Sequence, residues 1–431
     1  MNSAGTNKPV AQANTDREAS HHKSVLYVMS DYPLVNYSFI SREIGELERQ
    51  GITVHRFSLN RPKEVHASLT AEASITTYVK SPRKLTLGLA TVAARHPISI
   101  LKLAKELLAL TGKGWKAKVV CIAQIAEGAV VARAANRRAA TRIHAHFGGA
   151  TTTVAMSASR ITAFDSKHHR IVPWSCTLHG FDVGNDSPEV MRAKVTDAAA
   201  TVCVSYYTRS QVLRVSRLED WNKVFVVRCG LDFGQDFGHD FDDQTQPRWS
   251  INKSNKFRVV AVGRLAAEKG HLMLLEAAEI LSDRNLAIDL ELIGDGPMEA
   301  ELKRRAADVP VPVAVQFAGA LDTVATLQRI RQADALCVAS FNEGLPTVIL
   351  EAMAVHTLVI ATSVAGIPEI VKHGQTGFLV APADAGAIAQ AICDAIELSV
   401  QTRELITSNA FQAVRSGYSL DQNVRQLAEL F

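Results

Sequence analysis

The chain has 431 residues, 47% hydrophobic and 21% charged, with a formal net charge of +4. This is the make-up of an ordinary globular protein long enough for two or three domains, and so small a charge carries no nucleic-acid signature. Six cysteines without a close pair argue against a disulfide frame or a zinc site and for reduced, buried thiols in a cytosolic protein.

Residues 1–22 are polar and lack the apolar centre of a secretory signal, so they read as a disordered tail. No run of about 18 uninterrupted apolar residues follows, so no membrane span is expected. Residues 23–29 (KSVLYVM) read as a strand. Residues 39–49 (FISREIGELER) read as a helix with Ile40, Ile44 and Leu47 on one face, stopped by Gly51, and 52–59 (ITVHRFSL) as the next strand. A strand-helix-strand unit implies a parallel sheet, whose ligands sit at the carboxyl ends of the strands.

Residues 81–142 carry twelve basic and two acidic residues, interleaved with leucines, isoleucines and Trp115. Two readings stay open. A basic amphipathic stretch with a tryptophan suits an anionic membrane surface, through residues 83–142. The alternative is a set of core-packed helices with solvated basic faces.

Residues 142–147 (RIHAHF) form a further strand, followed by Gly148 and Gly149 and a small-residue helix. The strand at 171–178 ends on His179-Gly180-Phe181-Asp182. A lone histidine is more often structural, but a strand end followed by glycine is a ligand-facing position. Strands at 200–205 and 223–227 continue the alternation, and 233–256 is polar enough for an interdomain linker.

The pattern restarts with a strand at 257–262, followed by Gly263, Arg264, Leu265 and then Glu268-Lys269-Gly270. Two cations beside glycines suit a diphosphate, lysine as a point charge and arginine as a fork. Gly294-Asp295-Gly296-Pro297 is a weak dinucleotide signal, because it lacks a third glycine. The most informative stretch is 340–355 (SFNEGLPTVILEAMAV). A short buried strand runs into a loop with Glu343, and a helix opens at Pro346 or Thr347 with Glu351 about one turn inside. The first helical amides of Leu345, Thr347 and Val348 are free to meet an anion, so this loop suits a ligand carrying phosphate and hydroxyls.

Together, Glu343-Gly344-Leu345-Pro346 with Glu351, Gly263-Arg264-Leu265 with Glu268-Lys269-Gly270, Gly294 to Pro297, and GIPE before HGQTGFLV resemble a family 4 retaining glycosyltransferase. The resemblance is strong over 257–410 and weaker over 23–232. It implies an α/β fold of the GT-B type, two Rossmann-like doubly wound parallel-sheet domains facing each other across a cleft. The corresponding division is a tail at 1–22, an acceptor domain at 23–235, a linker at 236–256, a nucleotide-sugar domain at 257–410, and a helix at 411–431 crossing back to the first domain.

The resemblance implies a hexosyltransferase with a nucleotide-diphosphate sugar as donor and no obligatory metal or other cofactor. By position, Arg264 and Lys269 would hold the donor diphosphate beside Gly263. Glu351 would meet the ribose hydroxyls, and Glu343 with the amides of Gly344, Leu345 and Thr347 would hold sugar and phosphate, with Pro346 shaping the loop. His179 would lie near the sugar, with Asp182 a candidate to support it. DYPLVNYSF and HAHFGGATTTVAMSASR resemble the subgroup that builds exopolysaccharide and capsule chains on lipid-linked saccharides at the cytoplasmic face of the membrane. Two alternatives stand beside this reading: a catalytically silent homologue serving as an assembly subunit, and a nucleotide-sugar epimerase on the same fold, which free product without acceptor would reveal.

Overall fold

The computed structural model describes residues 23–112, 114–166, 170–234 and 256–431. The tail expected at 1–22 and nearly all of the linker expected at 236–256 lie outside the described residues.

The first domain holds strands β1 (Ser24–Asp31), β2 (Thr53–Asn60), β3 (Thr77–Tyr78), β4 (Arg142–His146), β5 (Trp174–Leu178), β6 (Ala200–Cys203) and β7 (Val224–Val226). The second holds β8 (Phe257–Val262), β9 (Ile288–Ile293), β10 (Ala314–Gly319), β11 (Ala335–Val338), β12 (Leu358–Thr362) and β13 (Phe378–Val380). The sheets run in the orders β3-β2-β1-β4-β5-β6-β7 and β10-β9-β8-β11-β12-β13, with every pairing parallel. Strands such as SVLYVM and LVIAT are buried along their length and nearly all apolar, because helices cover both faces of such a sheet. The order reverses beside β1 in one sheet and beside β8 in the other, and a reversal leaves a crevice at the carboxyl ends of the strands. This is the doubly wound, two-domain α/β architecture that the resemblance implied.

Strand β10, the helix Thr323–Gln332 and the helix Pro188–Asp197 were not anticipated. The burial pattern of β10 is intermediate and exposed along its length, as befits an edge strand, so its residues AVQFAG lack a buried strand's apolar run.

Residues 81–142 form three helices, Pro82–Arg95, Pro97–Leu110 and Trp115–Arg137, before β4. One face packs inward through Val92, Ile100, Leu103, Leu107, Cys121 and Ile125. The second half of Trp115–Arg137 lies so close to the helix Ala150–Asp165 that a Cβ on Gly128 would meet Ser157 at 2.6 Å. By length and composition this helix could cross a membrane, yet 56% of its most apolar window is buried in the protein. Other large apolar side chains point outward: Ile98 and Leu101 on one helix, and Trp115, Val119 and Ile122 at helical spacing on the next.

The last helix, Leu420–Glu429, packs Leu420 and Val424 against Val25, Tyr27, Ile40 and Ile44 of the first domain. Lys23 and Arg142 donate to carbonyls at its end, Ala428 (2.7 Å) and Leu430 (2.6 Å).

Candidate active site

The two loops at the crevice of the second sheet meet. Strand β8 ends in Gly263-Arg264 and β11 runs on to Ser340, and these strands flank the reversal of strand order. The Phe341 amide donates to the Glu268 carbonyl at 2.8 Å, which ties the loops together through backbone. Lys269 then forms an ion pair with Glu343, and the Ser340 hydroxyl donates to the same carboxylate oxygen at 2.9 Å. The Arg264 guanidinium is half exposed and stands 4.0 Å from Glu268.

The helix Thr347–Ala354 begins where the sequence places it. Pro346 is its N-cap, and no side chain caps it. Its first amides therefore lack a side-chain acceptor, and they open on the loop that carries Glu343. Leu345 is buried in the domain core, so its side chain anchors the loop while the backbone forms the rim.

Gly294 and Gly296 serve close packing. A Cβ on Gly294 would stand 2.0 Å from the Gly263 carbonyl, and one on Gly296 would stand 2.4 Å from that of Leu265. The Gly-x-Gly turn thus fixes the arginine-bearing loop, which accounts for the glycines without a dinucleotide.

The facing domain presents His179, at the end of β5. Its main-chain amide donates to Asp182 Oδ1 at 2.8 Å, and the Gly148 amide donates to Asp182 Oδ2 at 2.8 Å. Asp182 thus supports the loop that carries His179, and burial pushes its carboxyl up to about 6. The imidazole packs against the rings of Phe39 and Phe147, at centroid distances of 4.8 and 4.6 Å. Burial also holds its pKa well below the usual range, so the ring is neutral at physiological pH.

The domains touch at this point. The backbone of Gly344 lies against that of His179 and Gly180, and a Cβ on Gly344 would fall 1.5 Å from the His179 carbonyl oxygen. Arg42, from the helix Ser38–Arg49, reaches across to Glu351 Oε1 at 2.9 Å. Glu351, assigned by resemblance to ribose, is thus engaged by a cation of the opposite domain, and a nucleoside would compete with that ion pair. Glu369 receives the amides of Tyr206 and Tyr207 at 3.0 and 2.8 Å, closing a second bridge between domains.

Sequence reasoning missed Arg42, Glu43 and His146. The first two occupy the polar face of a helix, where solvation is the ordinary outcome. His146 alternates with His144 on the strand written RIHAHF, and two histidines on one strand face were the available signal. Glu43, His144 and His146 place possible ligand atoms within 4.8 Å of one another. Both ring nitrogens of His144, however, meet hydroxyls, Ser175 at 2.9 Å and Thr177 at 3.0 Å, so its lone pair is already engaged.

Two Rossmann-like domains meeting over an uncapped helix start, with charged groups from converging loops, make the GT-B architecture. Residues 243–413 match the family model described as glycosyl transferases group 1. TuaC, a teichuronic acid biosynthesis glycosyltransferase of Bacillus subtilis, is 26% identical over 66% of this chain and 68% of its own length. AmsK, the amylovoran biosynthesis glycosyltransferase of Erwinia amylovora, is 31% identical over 40% of this chain and 44% of its own. The chain thus spans about two thirds of one relative and less than half of the other. Among solved structures, Anabaena HepE in complex with UDP-glucose superposes with a TM-score of 0.66 at 19% identity, covering 95% of this chain and 99% of that one. At that identity the likeness is one of fold.

Proposed function

We propose that the protein transfers a hexose, with retention, from a nucleotide-diphosphate sugar to a saccharide acceptor in the assembly of a cell-surface polysaccharide. The observation that carries this reading is the convergence of Lys269, Glu343 and the uncapped start of Thr347–Ala354 beneath His179 of the facing domain. A diphosphate leaving group gathers charge as the glycosidic bond breaks, and positioned cations and helix amides stabilise that charge without a metal. Arg264 and Lys269 face the diphosphate, Glu343 and the Gly344 and Leu345 backbone face the sugar, and Glu351 meets the ribose once Arg42 releases it. The polysaccharide biosynthesis roles in the names of TuaC and AmsK, and the UDP-glucose bound to HepE, support the class of acceptor and donor.

The experiment is incubation with UDP, GDP and ADP sugars and an oligosaccharide or lipid-linked acceptor, reading released nucleoside diphosphate and, by proton NMR, the anomeric configuration of the product. Release with retention supports the reading. No release with any common donor, together with unchanged nucleotide binding in Glu351→Ala, would count against it.

The acceptor is proposed to be lipid-linked and the enzyme peripheral on the cytoplasmic membrane face. Outward-facing Ile98, Leu101, Trp115, Val119 and Ile122, set among Lys102, Lys105, Lys116 and Lys118, match an interfacial surface. Sedimentation with anionic vesicles should fall at high salt and in Trp115→Ser; binding indifferent to lipid charge and salt would leave only core-packed helices.

A further inference from the structure

A chain of polar contacts runs behind His179. Its Nε2 lies 3.1 Å from His146 Nδ1, and His146 Nε2 lies 3.1 Å from Glu43 Oε1. The same carboxylate oxygen accepts the Tyr27 hydroxyl at 2.6 Å. Tyr27 and His146 are fully buried, and the Glu43 side chain is 16% exposed. The two ring planes lie 27° apart with centroids at 5.4 Å, the arrangement of two imidazoles joined edge to edge through those nitrogens, and Phe39 and Phe147 pack against the His179 ring.

A carboxylate only accepts hydrogen bonds. Glu43 therefore places a proton on His146 Nε2. With one proton on that ring, His146 turns a lone pair on Nδ1 toward His179. His179 must then carry its own proton on Nε2, which leaves Nδ1 as a bare acceptor. We propose that Glu43 and His146 are positioning residues of the transfer reaction, fixing His179 in the Nε2–H form so that its Nδ1 accepts a hydrogen bond from a hydroxyl of the donor sugar. The substrate side of this proposal rests on the transferase reading; the tautomer side rests on the protein alone. A fixed acceptor orients the sugar without rotating a dipole during reaction, the role that a buried carboxylate plays for an imidazole in hydrolytic triads.

The test is long-range proton–nitrogen NMR on protein labelled with ¹⁵N-histidine, with His179 and His146 assigned by substitution, alongside steady-state kinetics. The native protein should show His179 protonated at Nε2. In Glu43→Ala, His179 should populate the Nδ1–H form, and kcat should fall about 10- to 100-fold while donor Kd moves less than about threefold. Glu43→Gln should recover most of the rate. Two donors converge on the Oε1 position, so the amide oxygen settles there and the tautomer is retained. His179 protonated at Nδ1 in the native protein, as a doubly protonated His146 would impose, overturns the proposal. So does Glu43→Ala with spectrum and kcat unchanged. If no nucleotide sugar is turned over, the transferase reading fails, and the spectra still decide the relay.

Discussion

At the residue scale, the site is built from charges that neutralise each other until a ligand arrives. Lys269 is held by Glu343, and Glu351 by Arg42. A donor diphosphate would draw Lys269 toward phosphate, so Lys269→Ala should lower kcat/KM by about 100-fold, the scale of one lost electrostatic contact in a preorganised site. Initial-rate measurements of nucleoside diphosphate release check this; a loss under threefold would remove Lys269 from the site. The buried imidazoles give a second expectation. His144 and His179 titrate well below the usual 6.5 and His271 at about 4, each because burial penalises the cation. Below pH 6.5 the unfolded chain therefore binds more protons than the native one, and their contribution to stability is lost as pH falls. Asp182, raised to about 6, and Glu127, also raised by burial, act in the opposite direction as the native carboxyls take up protons first. His55 is lowered by burial as well, and four imidazoles outweigh two carboxyls, so the melting temperature should drop between pH 7.5 and 5.5. Thermal melts across that range that stay flat or rise would contradict this.

Elements meet at the cleft through bare backbone as well as through side chains. The loop before Thr347–Ala354 can touch the His179 turn only because Gly344 has no Cβ, and Gly180, at φ 102°, presents its own bare face in return. Gly344→Ala should force the domains apart at this point and cost about 1–3 kcal/mol of the closed arrangement, as overpacking generally does. Small-angle scattering should register a larger radius of gyration, and transfer should fall by at least tenfold. An unchanged radius and rate would mean that the loop gives way locally. Motif reading found this loop, because proline and glycine fix its conformation independently of what surrounds it. It could not find Arg42 or Glu43, since their helix pattern is that of any solvated face until a second element is brought against it.

For the whole molecule, the last helix is a brace between domains. Strand β7 leads into Leu231, which pairs with Ser419, and Leu420–Glu429 then covers Val25, Tyr27 and Ile40 of the first domain. Ending the chain after Tyr418 should expose that core, lower the melting temperature by several degrees and weaken donor turnover, since the cleft would lose one of its fixed edges. Differential scanning calorimetry with and without UDP separates the effects; a truncated chain that melts and turns over like the parent would show the brace to be dispensable.

The order and type of most elements followed from the sequence because parallel strands and their helices carry local, periodic signals: largely apolar runs such as FRVVAV, and a proline or glycine at many of the boundaries. The loop residues Arg264, Lys269, Glu343 and His179 were legible for the same reason, standing at strand ends where this architecture takes its ligands. Tertiary structure alone decided the partners. Arg42 with Glu351 and His179 with His146 and Glu43 join residues 309, 33 and 103 positions apart in the chain. No local pattern encodes such pairs, because they exist only once elements distant in the chain are brought side by side and the groups between them are desolvated.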